Sequence, residues 1–122
     1  MKAIVITNPG APDVLQLFER PKPLPGKNEV LIKVKAAGVN RPDIAQRKGG
    51  YPPPPGAPAD IPGLEVSGIV EDCGEKVTRG KNGDKVCALL AGGGESECGG
   101  GDAGQCLPMP NAWSYVEPAS LP

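Results

Sequence analysis

Three polar side chains near the middle of the chain are of types that could carry chemistry: Asn40, Asp43 and Tyr51. An amide donates and accepts hydrogen bonds and a phenol can supply a proton, so Asn40 and Tyr51 could hold a polar planar ligand. Structural roles also account for these residues, with Asn40 capping a helix, Asp43 in its first turn and Tyr51 anchoring a loop. The pattern alone favours the structural roles.

The absence of histidine excludes several kinds of catalytic site. With none in the chain, neither a Ser-His-Asp nor a Cys-His mechanism is available. The four cysteines, Cys73, Cys87, Cys98 and Cys106, form no C-x-x-C pair, so a zinc knuckle is not expected. We predict reduced thiols, with Cys87 in the core and Cys98 the most exposed and most easily oxidised.

A glycine-rich segment near the C-terminus matches the sequence pattern of dinucleotide-binding sites but lacks the strand and helix signals that should flank it. Residues 99–104 read G-x-G-x-x-G, but neither a strand signal before them nor a helix signal after them is present. The segment 95–101 offers few side chains for a core. We therefore predict a flexible loop at 95–101 and not a dinucleotide site.

Composition limits the class of protein. The 122 residues fit one domain, and 13 Lys and Arg against 14 Asp and Glu give a net charge of -1. This balance argues against a nucleic-acid clamp, because phosphate affinity needs clustered basic charge. No apolar run approaches the roughly 20 residues of a membrane helix, and the first apolar stretch is too short for a secretory signal. We expect a soluble, cytoplasmic protein.

Apolar periodicity predicts strands joined by turns, with one short helix. The alternation over Glu29–Ala36 puts Val30, Ile32 and Val34 on a core face and leaves the lysine side solvated. Gly68, inside another strand, indicates a bulge or a close backbone approach. The predicted strands are 1–7 and 14–20 as a hairpin, 29–36, 63–73, 85–90 and 105–107; the helix is 41–48, and a second helix begins within 114–121.

Two proline-rich runs, 21–25 and 52–55, each lie between predicted elements. Such runs can serve as polyproline ligands for an SH3- or WW-type partner. Their positions favour a simpler role as rigid connectors.

Three segments taken together resemble a known family. Residues 33–43 (KVKAAGVNRPD), 46–56 (QRKGGYPPPPG) and 61–68 (IPGLEVSG) are similar to the zinc-independent NAD(P)H:quinone oxidoreductases of the medium-chain dehydrogenase/reductase superfamily, above all to the p53-inducible type. The similarity covers about residues 1–94 and 102–122. Its motifs are specific in combination, order and spacing.

The resemblance implies a mainly β (α+β) fold, a GroES-like, partly open β-barrel with one or two short helices. Residues 1–122 would be the catalytic-domain fragment of a two-domain enzyme, without its Rossmann cofactor domain. Zinc-dependent relatives ligate their metal with a Cys and a His, where this chain has Asn40 and Leu64. No metal is therefore expected, and Glu65 would be structural. Beyond Gly94 the family continues with an aromatic, β-branched strand, which the glycines should leave frayed or absent here.

The same resemblance implies hydride transfer from NADPH to a quinone in a cleft between the domains. The catalytic residues would be Tyr51, beside the quinone, and Asn40, at the nicotinamide end of the cofactor. The cofactor-binding set would add Gly92, Gly93 and Gly94 in the cleft floor. We expect this chain alone to bind no cofactor and to be inactive, and the intact enzyme to form a homo-oligomer. The alternative is a non-enzymatic β-barrel binding module, or a truncated product that pairs with a full-length subunit.

Overall fold

The computed structural model describes every residue from 1 to 122 and contains seven strands and one α-helix. In chain order these are β1 (Lys2–Ile6), β2 (Leu15–Glu19), β3 (Glu29–Ala37), α1 (Arg41–Arg47), β4 (Glu65–Cys73), β5 (Lys85–Leu89), β6 (Cys98–Asp102) and β7 (Cys106–Pro108). Single 3₁₀ turns lie at Pro12–Val14, Ala103–Gln105 and Pro118–Ser120.

The strands form two antiparallel sheets. Strands β1 and β2 form the predicted hairpin, and the other five follow the order β6-β3-β4-β5-β7. The mainly β architecture is confirmed, and both sheets remain open and do not close into a barrel. No helix in the structure combines the length and the apolar character needed to cross a lipid bilayer.

The main core lies on one face of the five-stranded sheet. Val30 and Ile32 of β3 pack there with Val66 and Val70 of β4, as the alternation predicts. Leu31, on the other face of β3, is only 3% exposed. The expectation of a solvated second face is therefore wrong at the start of β3.

Gly68 marks a close backbone approach, as predicted. The pairing of β3 with β4 shifts register between Val34 and Ala36, next to the Val34–Gly68 pair. A Cβ atom at residue 68 would collide with the carbonyl oxygen of Lys33. Only glycine lets the two strands meet here.

Strand β6 corrects the expectation of a loop without a strand at 95–101. Its residues pair with β3 from Glu29 to Lys33, so that the glycine run lies in regular antiparallel register. Two physical reasons explain the strand. The edge of β3 offers backbone groups that need partners, and Leu90 fills the side-chain space, since a Cβ at Gly101 would lie 2.5 Å from Leu90 Cδ2.

Of the fingerprint-like glycines, Gly99, Gly100 and Gly101 lie inside β6 and Gly104 lies in the 3₁₀ turn that follows. They do not form the strand-to-helix turn that would hold a pyrophosphate.

The cysteines differ from expectation at one position. Cys87 is buried as predicted, but Cys98 is 5% exposed and its thiol donates to Glu71 Oε2 at 3.5 Å, so the predicted exposure of Cys98 is wrong. All four cysteines are free thiols. Burial raises the pKa of the Cys98 thiol, and it raises that of Cys106 to about 11.

The C-terminal segment forms one 3₁₀ turn at Pro118–Ser120 in place of the predicted start of a helix. Pro118 and Ala119 are buried, and the Ser67 hydroxyl donates to the Tyr115 carbonyl oxygen. These contacts fix the segment against β4. Both proline runs lie outside the strands and the α-helix, as expected of connectors.

Replacing Gly68 by alanine should destabilise the chain, because the new methyl group overlaps the Lys33 carbonyl oxygen. We expect the free energy of unfolding to fall by about 1–3 kcal/mol in urea denaturation followed by circular dichroism. Gly100→Ala is the matched control, since a methyl group there meets no atom within 4 Å. It should be neutral or stabilising by up to about 1 kcal/mol. Equal losses in both variants would contradict the close approach.

Candidate functional site

The N-terminus of α1 holds the first candidate residue. Asn40 occupies the N-cap position with an extended backbone (φ −127°), and Pro42 lies in the first turn, as the sequence predicts. The Asn40 N–H donates to Asp43 Oδ2 at 2.8 Å, and the two residues have the relation of a capping box. The helix start therefore fixes the backbone of Asn40.

Asp43 also connects this helix start to the segment before β4. Its Oδ1 accepts the Gly63 N–H at 3.0 Å, and the side chain is buried, with the residue only 5% exposed. A carboxylate that accepts two backbone N–H groups joins the two segments that donate them. The helix start and Gly63 are thereby held at a fixed separation.

Gly63 in turn contacts the turn that contains three of the predicted cofactor residues. It has φ +110°, and a Cβ there would lie 2.5 Å from the Glu95 nitrogen. The Gly94 N–H donates to the Gly63 carbonyl oxygen at 3.0 Å, and the Gly93 N–H donates to that of Ile61 at 2.9 Å. Gly92, Gly93 and Gly94 are all buried. The N–H groups of Gly93 and Gly94 are therefore occupied within the chain and cannot cradle a phosphate.

The side chain of Asn40 is held by Glu65. Asn40 Nδ2 donates to Glu65 Oε1 at 2.9 Å, and Glu65 is 7% exposed. Gly38 makes this possible, because a Cβ at residue 38 would collide with the Glu65 carboxylate. The amide and the carboxylate thus form a largely buried pair beside the helix start.

A third carboxyl group lies close by. Glu95 is half-buried, and loss of hydration raises its pKa above the ordinary value, with a further contribution from the negative charge of Asp43. Its backbone is fixed by the Ile4 N–H and the Pro62 carbonyl oxygen. No group of three or more Cys, Asp and Glu side chains has the arrangement to hold a metal ion.

The predicted site residues line different surfaces. Asn40 lines an open depression of about 520 Å³ with Val39, Arg41, Ile44 and Lys48, among others. Neither Arg41 nor Lys48 forms an ion pair.

Gly92 and Gly93 line a separate groove of about 400 Å³, whose wall includes Cys98, Gly99 and Gly100. Tyr51 lines neither cavity; it is half-buried and its hydroxyl makes no hydrogen bond within the chain. The chain therefore links Asn40 to the glycine turn through Asp43 and Gly63, but leaves Tyr51 apart.

The sequence did not predict the contacts that two site residues, Asp43 and Glu95, make in the structure. Asp43 was assigned only to the first turn, and its second bond spans 20 residues to Gly63. Glu95 was placed in a loop, with no sign of its burial. A glycine at position 63 gives a weak signal of a tight junction, but nothing in the sequence identifies its partner.

Comparisons with known proteins agree with this architecture. The alcohol dehydrogenase GroES-like domain matches residues 26–117. The chain belongs to this family. The GroES-like fold and the resemblance to quinone oxidoreductases of the medium-chain superfamily are confirmed.

Three similar proteins illustrate the relationship. Quinone oxidoreductase of Mus musculus is 37% identical over 99% of this chain and 37% of its own length. The synaptic vesicle membrane protein VAT-1 homolog of Danio rerio is also 37% identical, over 99% of this chain and 25% of its own length. The Escherichia coli quinone oxidoreductase solved in complex with NADPH superposes with a TM-score of 0.88 and 33% identity, covering 99% of this chain and 37% of that one. This GroES-like chain thus spans between a quarter and a little over a third of the length of these relatives.

Asp43→Asn should destabilise the GroES-like chain while leaving its volume unchanged. An amide nitrogen cannot accept a hydrogen bond, so the N–H of Asn40 or of Gly63 would lose its partner. We expect a loss of about 1–3 kcal/mol in urea denaturation. The control is Asp13→Asn in an exposed turn, which should change stability by less than about 0.5 kcal/mol. Similar losses at the two positions would contradict the bridging role of Asp43.

Glu95→Gln should stabilise the chain near neutral pH. The folded-state pKa of Glu95 lies above its ordinary value of 4.5, so the unfolded chain loses this proton first as pH rises. Wild-type stability should therefore be unaffected by this group below about pH 4, and fall through the range between the two pKa values.

Urea denaturation across this pH range would measure the difference. The Gln variant should match wild type at low pH and exceed it at neutral pH. Glu75→Gln, at an exposed position, is the control. The same pH-dependent gain in both variants would argue against burial of Glu95 as the cause.

Proposed function

We propose that this chain is the catalytic-domain portion of a zinc-independent, NAD(P)H-dependent quinone oxidoreductase, and that it is inactive without a cofactor domain. One observation carries the proposal. By the family resemblance, Asn40 and Leu64 stand where zinc-dependent relatives have metal ligands, and Asn40 Nδ2 donates to Glu65 Oε1, a hydrogen bond that suits an amide rather than a metal-binding thiolate.

The residues around Asn40 are compatible with the nicotinamide end of a cofactor. The amide can hydrogen-bond a polar planar group, and Val39 and Ile44 offer exposed apolar surface. Arg41 and Lys48 supply positive charge without a partner in the chain, which favours an anionic ligand. When bound, NADPH supplies a hydride, that is, one proton with two electrons.

Gly92, Gly93 and Gly94 would form part of the cleft floor by allowing close approach, and not by binding phosphate. The Gly93 and Gly94 N–H groups already donate to carbonyl oxygens of the chain. A pyrophosphate group would therefore need donors from another part of the protein. This supports the expectation that residues 1–122 alone bind the cofactor poorly.

Tyr51 would lie beside the quinone and supply a proton. Reduction of a quinone to a hydroquinone requires one hydride and one proton, and the phenol hydroxyl has no hydrogen-bond partner in the chain to prevent donation. Tyr51 must approach the ligand from its own loop, because it lines neither cavity.

The first test is to titrate the chain with NADPH and a quinone while following cofactor absorbance. We expect no saturable turnover, because catalysis requires both reactants in near-attack geometry. Saturable turnover by residues 1–122 alone would overturn the proposed need for a cofactor domain.

The second test joins residues 1–122 to the remaining segment of Mus musculus quinone oxidoreductase. The chimera should reduce a quinone with NADPH, and Tyr51→Phe should lower kcat by about 100-fold. Tyr115→Phe is the matched control and should leave kcat unchanged. A folded chimera without activity, or equal effects of the two variants, would contradict the proposed roles.

A further inference from the structure

The Asn40 amide has one orientation imposed on it by a buried acid. Glu65 is 7% exposed, and its Oε1 accepts from Asn40 Nδ2 at 2.9 Å. A carboxylate only accepts hydrogen bonds, so the amide must turn its NH₂ group towards Glu65 and its oxygen away.

The helix cap restrains the same side chain from the other end. Asp43 Oδ2 accepts the Asn40 backbone N–H at 2.8 Å, and the Asn40 side chain faces the Asp43 backbone in the capping box. An amide oxygen carries two lone pairs, so it can face the helix start and still accept from a ligand. Rotating the amide would break the contacts at both ends.

We propose that Glu65 is a positioning residue that keeps Asn40 Oδ1 as a hydrogen-bond acceptor for a donor on the ligand. This inference rests on the proposed function. Asn40 lines the depression that also contains Arg41 and Lys48, neither of which has an ion-pair partner. Under the proposed function the ligand is the nicotinamide end of the cofactor, whose carboxamide NH₂ would be the donor and whose phosphate would be the anionic group.

Glu65→Gln separates positioning from packing. Glutamine has the same shape, but it can donate as well as accept, so either orientation of the Asn40 amide becomes satisfied. If Glu65 served only to fill space, the glutamine of Glu65→Gln would restrain the Asn40 amide as well as the buried carboxylate does.

The first measurement is the ¹H–¹⁵N spectrum of the labelled chain. In wild type, the Asn40 side-chain NH₂ should give two distinct signals with slow hydrogen exchange. In Glu65→Gln this exchange should accelerate by about tenfold, because a neutral acceptor replaces a charged one and hydrogen bonds to charged groups are the stronger. Glu75→Gln is the control, and the backbone signals of α1 report whether the variant remains folded. Unchanged Asn40 side-chain signals in folded Glu65→Gln would overturn the positioning role.

The second measurement compares nicotinamide mononucleotide with nicotinic acid mononucleotide, which has a carboxylate in place of the carboxamide. Binding is followed by the backbone signals of Val39 and Arg41. Wild type should prefer the carboxamide by about tenfold, the value of one hydrogen bond. Glu65→Gln should reduce the preference to about twofold or less, because a rotated Asn40 can donate to the carboxylate. Equal wild-type affinities would overturn the acceptor assignment.

The outcomes separate this inference from the proposed function. If nicotinamide mononucleotide leaves the wild-type signals unchanged even at millimolar concentration, where the poor binding expected of residues 1–122 would still be detected, while Glu65→Gln still releases the Asn40 amide, the nicotinamide site is wrong and the positioning role stands. If the mononucleotide binds but Glu65→Gln retains the full preference, the positioning role is overturned and the proposed cofactor site stands.

Discussion

The buried carboxylate of Asp43 is the contact on which the arrangement of the candidate site depends. Its two oxygens hold the backbone of Asn40 and of Gly63, and Gly63 carries the glycine turn through the Gly94 N–H. The bonds to Gly63 and from Gly94 join segments that local sequence would leave independent. Because a charged acceptor binds N–H groups more strongly than a neutral one, one residue fixes three segments.

The site is also shaped by an uneven distribution of charge. Asp43, Glu65 and Glu95 lie near one another inside, and no side-chain cation pairs with any of them. Asp43 and Glu65 are stabilised by hydrogen-bond donors, whereas Glu95 has no side-chain donor and shows the raised pKa. The negative interior and the cationic rim favour a ligand whose anionic part stays outside.

Local signals were sufficient for much of the fold. The core face of β3, the hairpin of β1 and β2, and the cap and short span of α1 depend on signals within a few residues and were predicted correctly. Strand β6 was missed because it forms by hydrogen bonding to the edge of β3, which lies about 70 residues earlier in the chain. Leu31 and Cys98 were misjudged for the same reason, since their burial depends on distant segments.

The candidate site was likewise predictable from the sequence only in part. The types of Asn40 and Tyr51 indicated polar chemistry, and the helix signals placed Asn40 at a cap. The Asn40–Glu65 hydrogen bond joins residues 25 apart, and the Asp43–Gly63 bond residues 20 apart. Neither spacing has a helical or strand period, so only the folded chain brings these groups together.

The glycine-rich strand β6 makes one edge of the five-stranded sheet different from the other edge. Three successive residues without side chains contribute backbone hydrogen bonds but little packing, and they gain the most freedom when those bonds open. The same residues form a wall of the groove beside Gly92 and Gly93. On that side the wall of the groove is therefore main chain, and a transient opening of the sheet edge would widen the groove for broader molecules.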